Sequence, residues 1–225
     1  HSATSAGDSP VRVRSRLVIR RARISSASTR PTVPLANVTD LFAQLHRPAE
    51  EVAPLLLNAE ITDGHVTIRI VEVEAYAGER DPASHAYRGP GVKNAVMFGP
   101  PGRAYIYLSY GMHWCMNVVC HPEGVGGGVL LRAGEVVAGT EVARMRRNGQ
   151  PDLARGPGRL GQALAVTMAD SGTDLRTGRL RLTPGPQAQV ISGPRVGVSK
   201  AADRPWRFWI ADDRFVSDYR RSPRA

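Results

Sequence analysis

Two glutamates two positions apart are the first residues of this sequence whose types and spacing suggest chemistry. Glu72 and Glu74 lie in the segment VEVEAYAG (71–78), which otherwise has the apolar character of a buried strand. Because strand side chains alternate between two faces, both carboxylates should share one face with Tyr76. A carboxylate that leaves the core for a cleft can act as a general base, whereas one on a solvated face only contacts water.

Paired carboxylates also suggest a glycoside hydrolase, but residues two apart on a strand point in parallel, and that chemistry needs two groups that flank the scissile bond. We therefore expect one working carboxylate, Glu74, with Glu72 in a supporting or solvated position. Strict alternation also puts Val66, Ile68 and Ile70 on the face of the glutamates. The pattern predicts a face that turns from core to cleft along the strand.

A hairpin is the second unusual feature of the sequence. The segment YIYLSYGMHWCMN is typical of two strands joined by a turn, and Tyr105 and Tyr107 share a face of the first strand. Tyr110, Gly111 and Met112 lie at the tip, where polar turn residues are expected. Large apolar side chains there indicate either an interaction surface, such as a wedge inserted between base pairs, or a tip packed against another segment.

Isolated polar residues elsewhere are weaker candidates. Arg132 ends the apolar strand VLLRA and needs an anionic partner, for which Glu74 is a candidate. His85 lies in the turn-rich segment DPASHAYRG, where a histidine is most often a plain surface residue. Arg155 and Arg159 flank the Gly-Pro start of a helix in RGPGRLGQAL, an arrangement suited to phosphate binding but also found in ordinary capping loops.

The cysteines and neighbouring histidines do not form a metal-binding pattern. His113, Cys115, Cys120 and His121 have the spacing HxCx₄CH, which matches no common zinc motif. Strand alternation puts the two cysteines on opposite faces, so we expect buried structural thiols and no metal site. Two cysteines also cannot build a disulfide framework, which suits a reducing compartment.

The elements that must position these residues are mostly strands. The apolar patterns predict strands over 65–76, 104–120 (with a turn in the middle), 127–133 and within RLRLT, AQVI and WRFWI. They predict helices over 39–61, 140–148 and 158–167. The first of these helical segments has two parts, with Thr39 as N-cap and Pro48 at the start of the second. Hairpin-connected strands with segregated helices predict an α+β fold, a single domain around a curved, mainly antiparallel sheet.

Composition and charge narrow the class of protein. Lys+Arg number 30 against 20 Asp+Glu, a net charge of +10, and nearly all the basic residues are arginine, which favours a nucleic-acid partner or reflects a compositional bias. Apolar runs fall short of a membrane span, so we expect a soluble protein without a membrane partner. Residues 1–30 are basic and Ser-rich, and we interpret them as a flexible arm, a leader or a segment upstream of the true start, with residues 31–225 as the domain.

Taken in order, VEVEAY, ASHAYRG, NAVMFGPPGRAYIYLSYGMHWCMNVV, VLLRA, GPGRLGQALAV and RVGV resemble the 3-methyladenine (alkyladenine) DNA glycosylases. The resemblance covers about residues 33 to 220 and keeps the family's motif order and spacing. It implies a monofunctional base-excision enzyme that flips a damaged purine out of double-stranded DNA. It also implies a single α+β domain, open-barrel-like, with a protruding hairpin and no metal or organic cofactor.

The resemblance implies roles for residues around the glutamates. Glu74 matches the catalytic glutamate that would deprotonate a water attacking C1′ of the sugar. Arg132 matches the arginine that holds this water together with the backbone carbonyl of Val196. Tyr76 and Tyr107 match the aromatic walls of the base pocket.

Further roles are implied for the pocket and the DNA-binding surface. His85 matches the residue that closes the pocket and hydrogen-bonds the base, and Asn117 the side chain that obstructs the 2-amino group of guanine. Tyr110 matches the residue that fills the gap left by the flipped nucleotide, and Gly111, Met112 and His113 are its neighbours in the hairpin.

The chain departs from the family pattern in the segment GPGVKN. Gly91 and Lys93 stand where the family usually carries a threonine and an arginine, so a phosphate contact by Lys93 would differ in strength or direction. The only other lysine is Lys200, and since neither lies near the centre of the motifs, we do not expect a Schiff-base lyase.

Two alternatives use the same residues. A non-catalytic binder of distorted DNA would use the hairpin wedge and release no base, and a sugar-directed glycosidase would leave both wedge and charge unexplained. For the glycosylase we expect a monomer that acts on damaged purines in double-stranded DNA and, in a bacterium, is cytoplasmic and associated with the nucleoid.

Overall fold

The computed structural model of the protein describes His1 and residues 40–225, so the predicted arm (residues 1–30) and Thr39 lie outside the described residues. The described chain contains four short α-helices: α1 (Leu41–Gln44), α2 (Ala49–Val52), α3 (Thr140–Arg146) and α4 (Pro157–Ala163). It also contains eight strands: β1 (Glu60–Thr62), β2 (Thr67–Tyr76), β3 (Ala104–Ser109), β4 (His113–Val119), β5 (Gly128–Ala138), β6 (Arg181–Thr183), β7 (Val190–Gly193) and β8 (Arg207–Ile210).

The strands form one curved, antiparallel sheet, as predicted. Its main path runs β3-β4-β5-β2-β1-β6, and β8 joins it by pairing with β2 and with β7. The ten-residue strand β2 is therefore central, with β5 along its length, β1 at its first residues and β8 near its end. This arrangement makes β2 the frame on which the glutamates are held.

The pairing of β2 with β5 is irregular near Glu72, and the predicted assignment of side chains to the two faces of β2 does not hold there. Between Ile70 and Glu72 the strand β2 has one extra residue, Val71, and between the partners of Glu72 and Val73 the strand β5 has one extra residue, Arg132. The core therefore contains the even-numbered Ile70 before the β-bulge and the odd-numbered Val73 after it, whereas a regular strand would place only even or only odd positions in the core. The prediction that the upstream apolar residues share the glutamates' face was wrong, because a bulge exchanges the two faces.

The hairpin of β3 and β4 agrees with the prediction. Its turn is closed by a hydrogen bond of 3.0 Å from Met112 N–H to the Ser109 carbonyl. Both central residues have positive φ, 50° at Tyr110 and 69° at Gly111, as a type I′ turn requires. A tyrosine is unusual at such a position, since a bulky side chain is strained in the left-handed region.

The helices are shorter than predicted and pack against the sheet. Asp40 caps α1, accepting hydrogen bonds from Phe42 and Ala43 N–H at 3.0 and 3.2 Å, and Pro48 precedes α2 as expected. Helix α4 lies against β4, where a Cβ on Gly161 would stand 2.1 Å from the Trp114 carbonyl oxygen. This glycine lets the helix support the hairpin at close range. No helix of the described chain is long and apolar enough to cross a membrane.

Candidate active site

An open cavity of about 1570 Å³ lies between the hairpin, the end of β2 and two loops. Tyr76, His85, Tyr105 and Tyr107 give it an aromatic lining, and Arg132 and Val196 lie at its polar side. A cavity with several aromatic rings beside a few polar groups suits a flat heteroaromatic ligand.

Glu74 is held directly beneath this cavity. Its side chain has no exposed surface, yet its three polar neighbours all line the cavity. Val196 N–H donates to Oε1 at 2.7 Å, the Tyr76 hydroxyl donates to Oε2 at 2.8 Å, and Arg132 Nη1 lies 3.5 Å from Oε1. A carboxylate has about four acceptor positions, so these contacts leave capacity for a water.

Tyr76 is fixed on both its polar and its aromatic side. Burial, and then the charge of Glu74, raise its pKa well above 10, so its hydroxyl keeps the proton that it donates to the carboxylate. The guanidinium of Arg195 lies 4.7 Å from the ring centroid, and Arg195 is itself buried and paired with Asp81. One face of the ring is thus occupied by the protein, which holds the ring rigidly at the cavity wall.

His85 forms a second aromatic group with two tyrosines. Its Nδ1 is 3.0 Å from the Tyr105 hydroxyl, and its ring meets that of Tyr107 edge-on with centroids 4.6 Å apart. Desolvation lowers the pKa of His85 from its ordinary value of 6.5, which favours the neutral ring at neutral pH. Burial raises the pKa of Tyr105 to about 12, so this hydroxyl is also protonated.

Arg132 contacts both glutamates, which confirms the prediction of an anionic partner. Its Nε lies 3.0 Å from Oε1 of Glu72, closer than its Nη1 lies to Glu74. Burial alone would lower the pKa of Arg132, but the two carboxylates raise it, so the guanidinium is permanently charged.

Asn117 lies on β4, where it pairs with Tyr105 of β3. The side chain is buried and donates from Nδ2 to the Tyr105 carbonyl at 3.1 Å, and its contact with a base stays a prediction. Cys115 and Cys120 are buried and unpaired, as predicted for structural thiols. In the described chain no three His, Cys, Asp or Glu side chains come together as metal ligands would.

The hairpin tip projects into solvent. Tyr110 is 88% exposed and Met112 71%, and Gly111 and His113 beside them are exposed as well. The alternative of a tip packed against another segment is therefore wrong for the described chain. Lys93 is also exposed and lines the cavity, nearer to the site than we expected for either lysine.

Arg155 and Arg159 lie at the start of α4 and are already paired. Arg155 donates at 2.8 Å both to the Val216 carbonyl and to Asp218, and Arg159 donates to Asp152 at 2.9 Å. Neither arginine lines the cavity. A phosphate contact by either of them stays a prediction.

Sequence reasoning missed the partners of Glu72. This residue is fully buried, and its donors include Arg207 of β8 and Ser217 near the C-terminus. The arginine within the apolar strand WRFWI could have been flagged by the logic used for Arg132, because a charge there needs a partner. Nothing in the sequence near Ser217 signals its contact.

Comparisons with known proteins agree with this architecture. Residues 43–214 match the family model described as methylpurine-DNA glycosylase (MPG). A relative from Frankia casuarinae named as a 3-methyladenine DNA glycosylase is 55% identical over 196 residues, covering 79% of this chain and 92% of the relative. One of the same name from Rhodococcus jostii is 56% identical over 194 residues, covering 81% and 86%.

The fold, the buried carboxylate under an aromatic cavity and these matches define a DNA glycosylase, a hydrolase of N-glycosyl bonds that acts in base-excision repair of damaged DNA. Within that class the chain belongs to the methylpurine-DNA glycosylase family.

Proposed function

We propose that the protein flips a damaged purine nucleotide out of double-stranded DNA and hydrolyses its N-glycosidic bond with a water activated by Glu74. The observation that carries this proposal is the buried Glu74 carboxylate, held by Val196 N–H and the Tyr76 hydroxyl beneath the aromatic cavity. A base inside a duplex is inaccessible to such a group, so the nucleotide must leave the stack.

The reaction divides between a base site and a water site. A purine between Tyr76 and Tyr107 would place C1′ of its sugar towards Glu74. The carboxylate would take a proton from the water as it attacks C1′, and the bond to the base would break with its electron pair moving to the base nitrogen. Arg132 would orient the water, and the carbonyl of Val196 is proposed as its second partner.

We propose alkylated purines as the preferred substrates, beginning with the 3-methyladenine for which the relatives are named. A positively charged base stacks favourably on tyrosine and leaves without prior protonation. Hypoxanthine and 1,N6-ethenoadenine are neutral and would need a proton on the leaving group, so we expect slower release. A neutral His85 and Asn117 would select among purines by hydrogen bonding and by exclusion of the guanine amino group.

The hairpin tip is proposed to fill the gap in the duplex. Tyr110 and Met112 are exposed apolar side chains beside the cavity mouth, as a wedge requires. Lys93 would contact a phosphate nearby. We propose that a single copy of the chain suffices, and that in a bacterium it acts on the DNA of the nucleoid.

A panel of duplexes with one lesion each tests the proposal, with free base measured over time. Glu74→Gln should slow base release by roughly 100- to 10,000-fold, because the amide cannot accept the proton, while DNA binding changes little. The exposed Glu79 provides the control, Glu79→Gln, which should behave like the wild type.

Normal release by Glu74→Gln would contradict the role of this residue. Binding without base release by the wild type would instead favour a binder of distorted DNA. The abasic product should stay intact until alkali is added, and strand cleavage without alkali would contradict a monofunctional enzyme.

A further inference from the structure

Glu72 accepts four hydrogen bonds close to the cavity, although the proposed chemistry gives it no role. Its carboxylate has no exposed surface. Its Oε1 accepts from Arg132 Nε at 3.0 Å, from Arg207 Nε at 2.7 Å and from the Ser217 hydroxyl at 3.0 Å, and its Oε2 accepts from Ser217 N–H at 2.7 Å. The carboxylate thus joins β2, β5, β8 and the C-terminal segment.

A buried cluster of charges such as this one adds little net stability to a core. Burying an ion pair removes two charges from water, and apolar side chains of similar size often stabilise a protein equally well. The sheet is also locally distorted here, with the bulge after Ile70 and the extra residue on β5 opposite it. Distortion and burial of charge together point to a function beyond packing.

The geometry of Arg132 supplies that function. Its guanidinium is planar and rigid, so a hydrogen bond at Nε fixes the direction of its other nitrogens. Glu72 takes Nε, which leaves Nη1 directed at Glu74, 3.5 Å away. Without the Glu72 charge, Arg132 would keep only the long 3.4 Å hydrogen bond from its Nη2 to the Ser217 hydroxyl, and it could turn to form a closer, two-point pair with Glu74, in the place where water should bind.

We infer that Glu72 is a positioning residue, which acts through Arg132 to keep Glu74 available to the attacking water. The inference rests on the proposed function of Glu74. Ser217, which gives Glu72 two of its hydrogen bonds, lies beyond the residues 43–214 that match the family model. The C-terminal segment is therefore part of the positioning apparatus of this chain.

The first test is Glu72→Gln, measured by single-turnover base release and by the Kd for a lesion duplex. We expect release to slow by about 100-fold, the scale of a misplacement of 1 Å in an active site, while the Kd changes less than about threefold. The control is Glu135→Gln, which breaks a 2.6 Å ion pair with Arg69 between the same two strands and should leave release unchanged.

A second variant separates positioning from stability. Glu72→Gln alone leaves two buried arginines with one countercharge fewer, so it should lower Tm. In Glu72→Gln/Arg207→Met one of these arginines is also removed, so Tm should recover. Under the inference, base release stays slow in the double variant, because Arg132 still lacks its charged partner at Nε. Recovery of the rate together with Tm would show a purely structural role and overturn the inference.

Arg132→Lys completes the test by removing the Nε contact. If Glu72 acts through Arg132, then Glu72→Gln/Arg132→Lys should be no slower than the slower single variant, whereas independent effects would multiply. A wild type that releases no base would defeat the proposed function itself. If the wild type releases base and Glu72→Gln releases it equally fast, only the positioning role is contradicted.

Discussion

At the scale of single residues, one imidazole links the stability of this protein to pH. His121 accepts a hydrogen bond of 3.0 Å at Nε2 from Ala49 N–H, which requires a neutral ring. Burial lowers the pKa of His121 from its ordinary 6.5, with a smaller opposing contribution from Glu50. A folded-state pKa below the unfolded one means that this contribution is complete above pH 6.5 and is lost as the pH falls.

We therefore predict that the wild type loses more stability between pH 7.5 and pH 5 than His121→Gln does. The variant should have a lower Tm than the wild type at pH 7.5, because the hydrogen bond is altered. Between pH 7.5 and pH 5, however, the Tm of the variant should fall by at least about 2 °C less than that of the wild type. The exposed His46 supplies the control, since His46→Gln should follow the wild type. Equal falls in all three proteins would contradict the role given to His121.

At the scale of elements, the β3–β4 hairpin leads to a prediction about flipping. Tyr110→Ala removes the exposed ring that would occupy the gap in the duplex. Because flipping costs a few kcal/mol and the ring would offset part of that cost, excision at limiting enzyme should slow by about tenfold or more. The deficit should shrink for a lesion in single-stranded DNA, which has no gap to fill. Met145→Ala, at another exposed apolar residue, on α3, is the control. Unchanged kinetics on duplex DNA would contradict the wedge.

Elements set by local rules were predictable from the sequence. The hairpin follows from alternation and a short turn, and both strands and turn were confirmed. The face pattern of β2 was not predictable, because the bulge at Val71 depends on its pairing with β5. The burial of Glu72 was likewise hidden, since its partners Arg132 and Ser217 lie 60 and 145 positions away in the chain. Local sequence patterns carry no record of such distant pairing.

At the scale of the whole molecule, the excess of 30 Lys+Arg over 20 Asp+Glu predicts strongly salt-dependent DNA binding. Each phosphate that the protein neutralises should contribute about −0.9 to the slope of log K against log[salt]. Lys93→Gln should reduce that slope by about one if Lys93 contacts a phosphate. Lys200→Gln is a matched control, because Lys200 is exposed but does not line the cavity. Equal slopes for the wild type and Lys93→Gln would exclude the phosphate contact.

The link between Glu72 and the C-terminal segment has a consequence for synthesis on the ribosome. Arg207 and Ser217 leave the ribosome 135 and 145 residues after Glu72, so until then the carboxylate lacks two of its three partner residues. Domains acquire structure from the N-terminus as they emerge, and the sheet around β2 and β5 could form early. The nascent enzyme would then hold its shape before it can release a base, and activity would arise only once Arg207 and Ser217 have been translated.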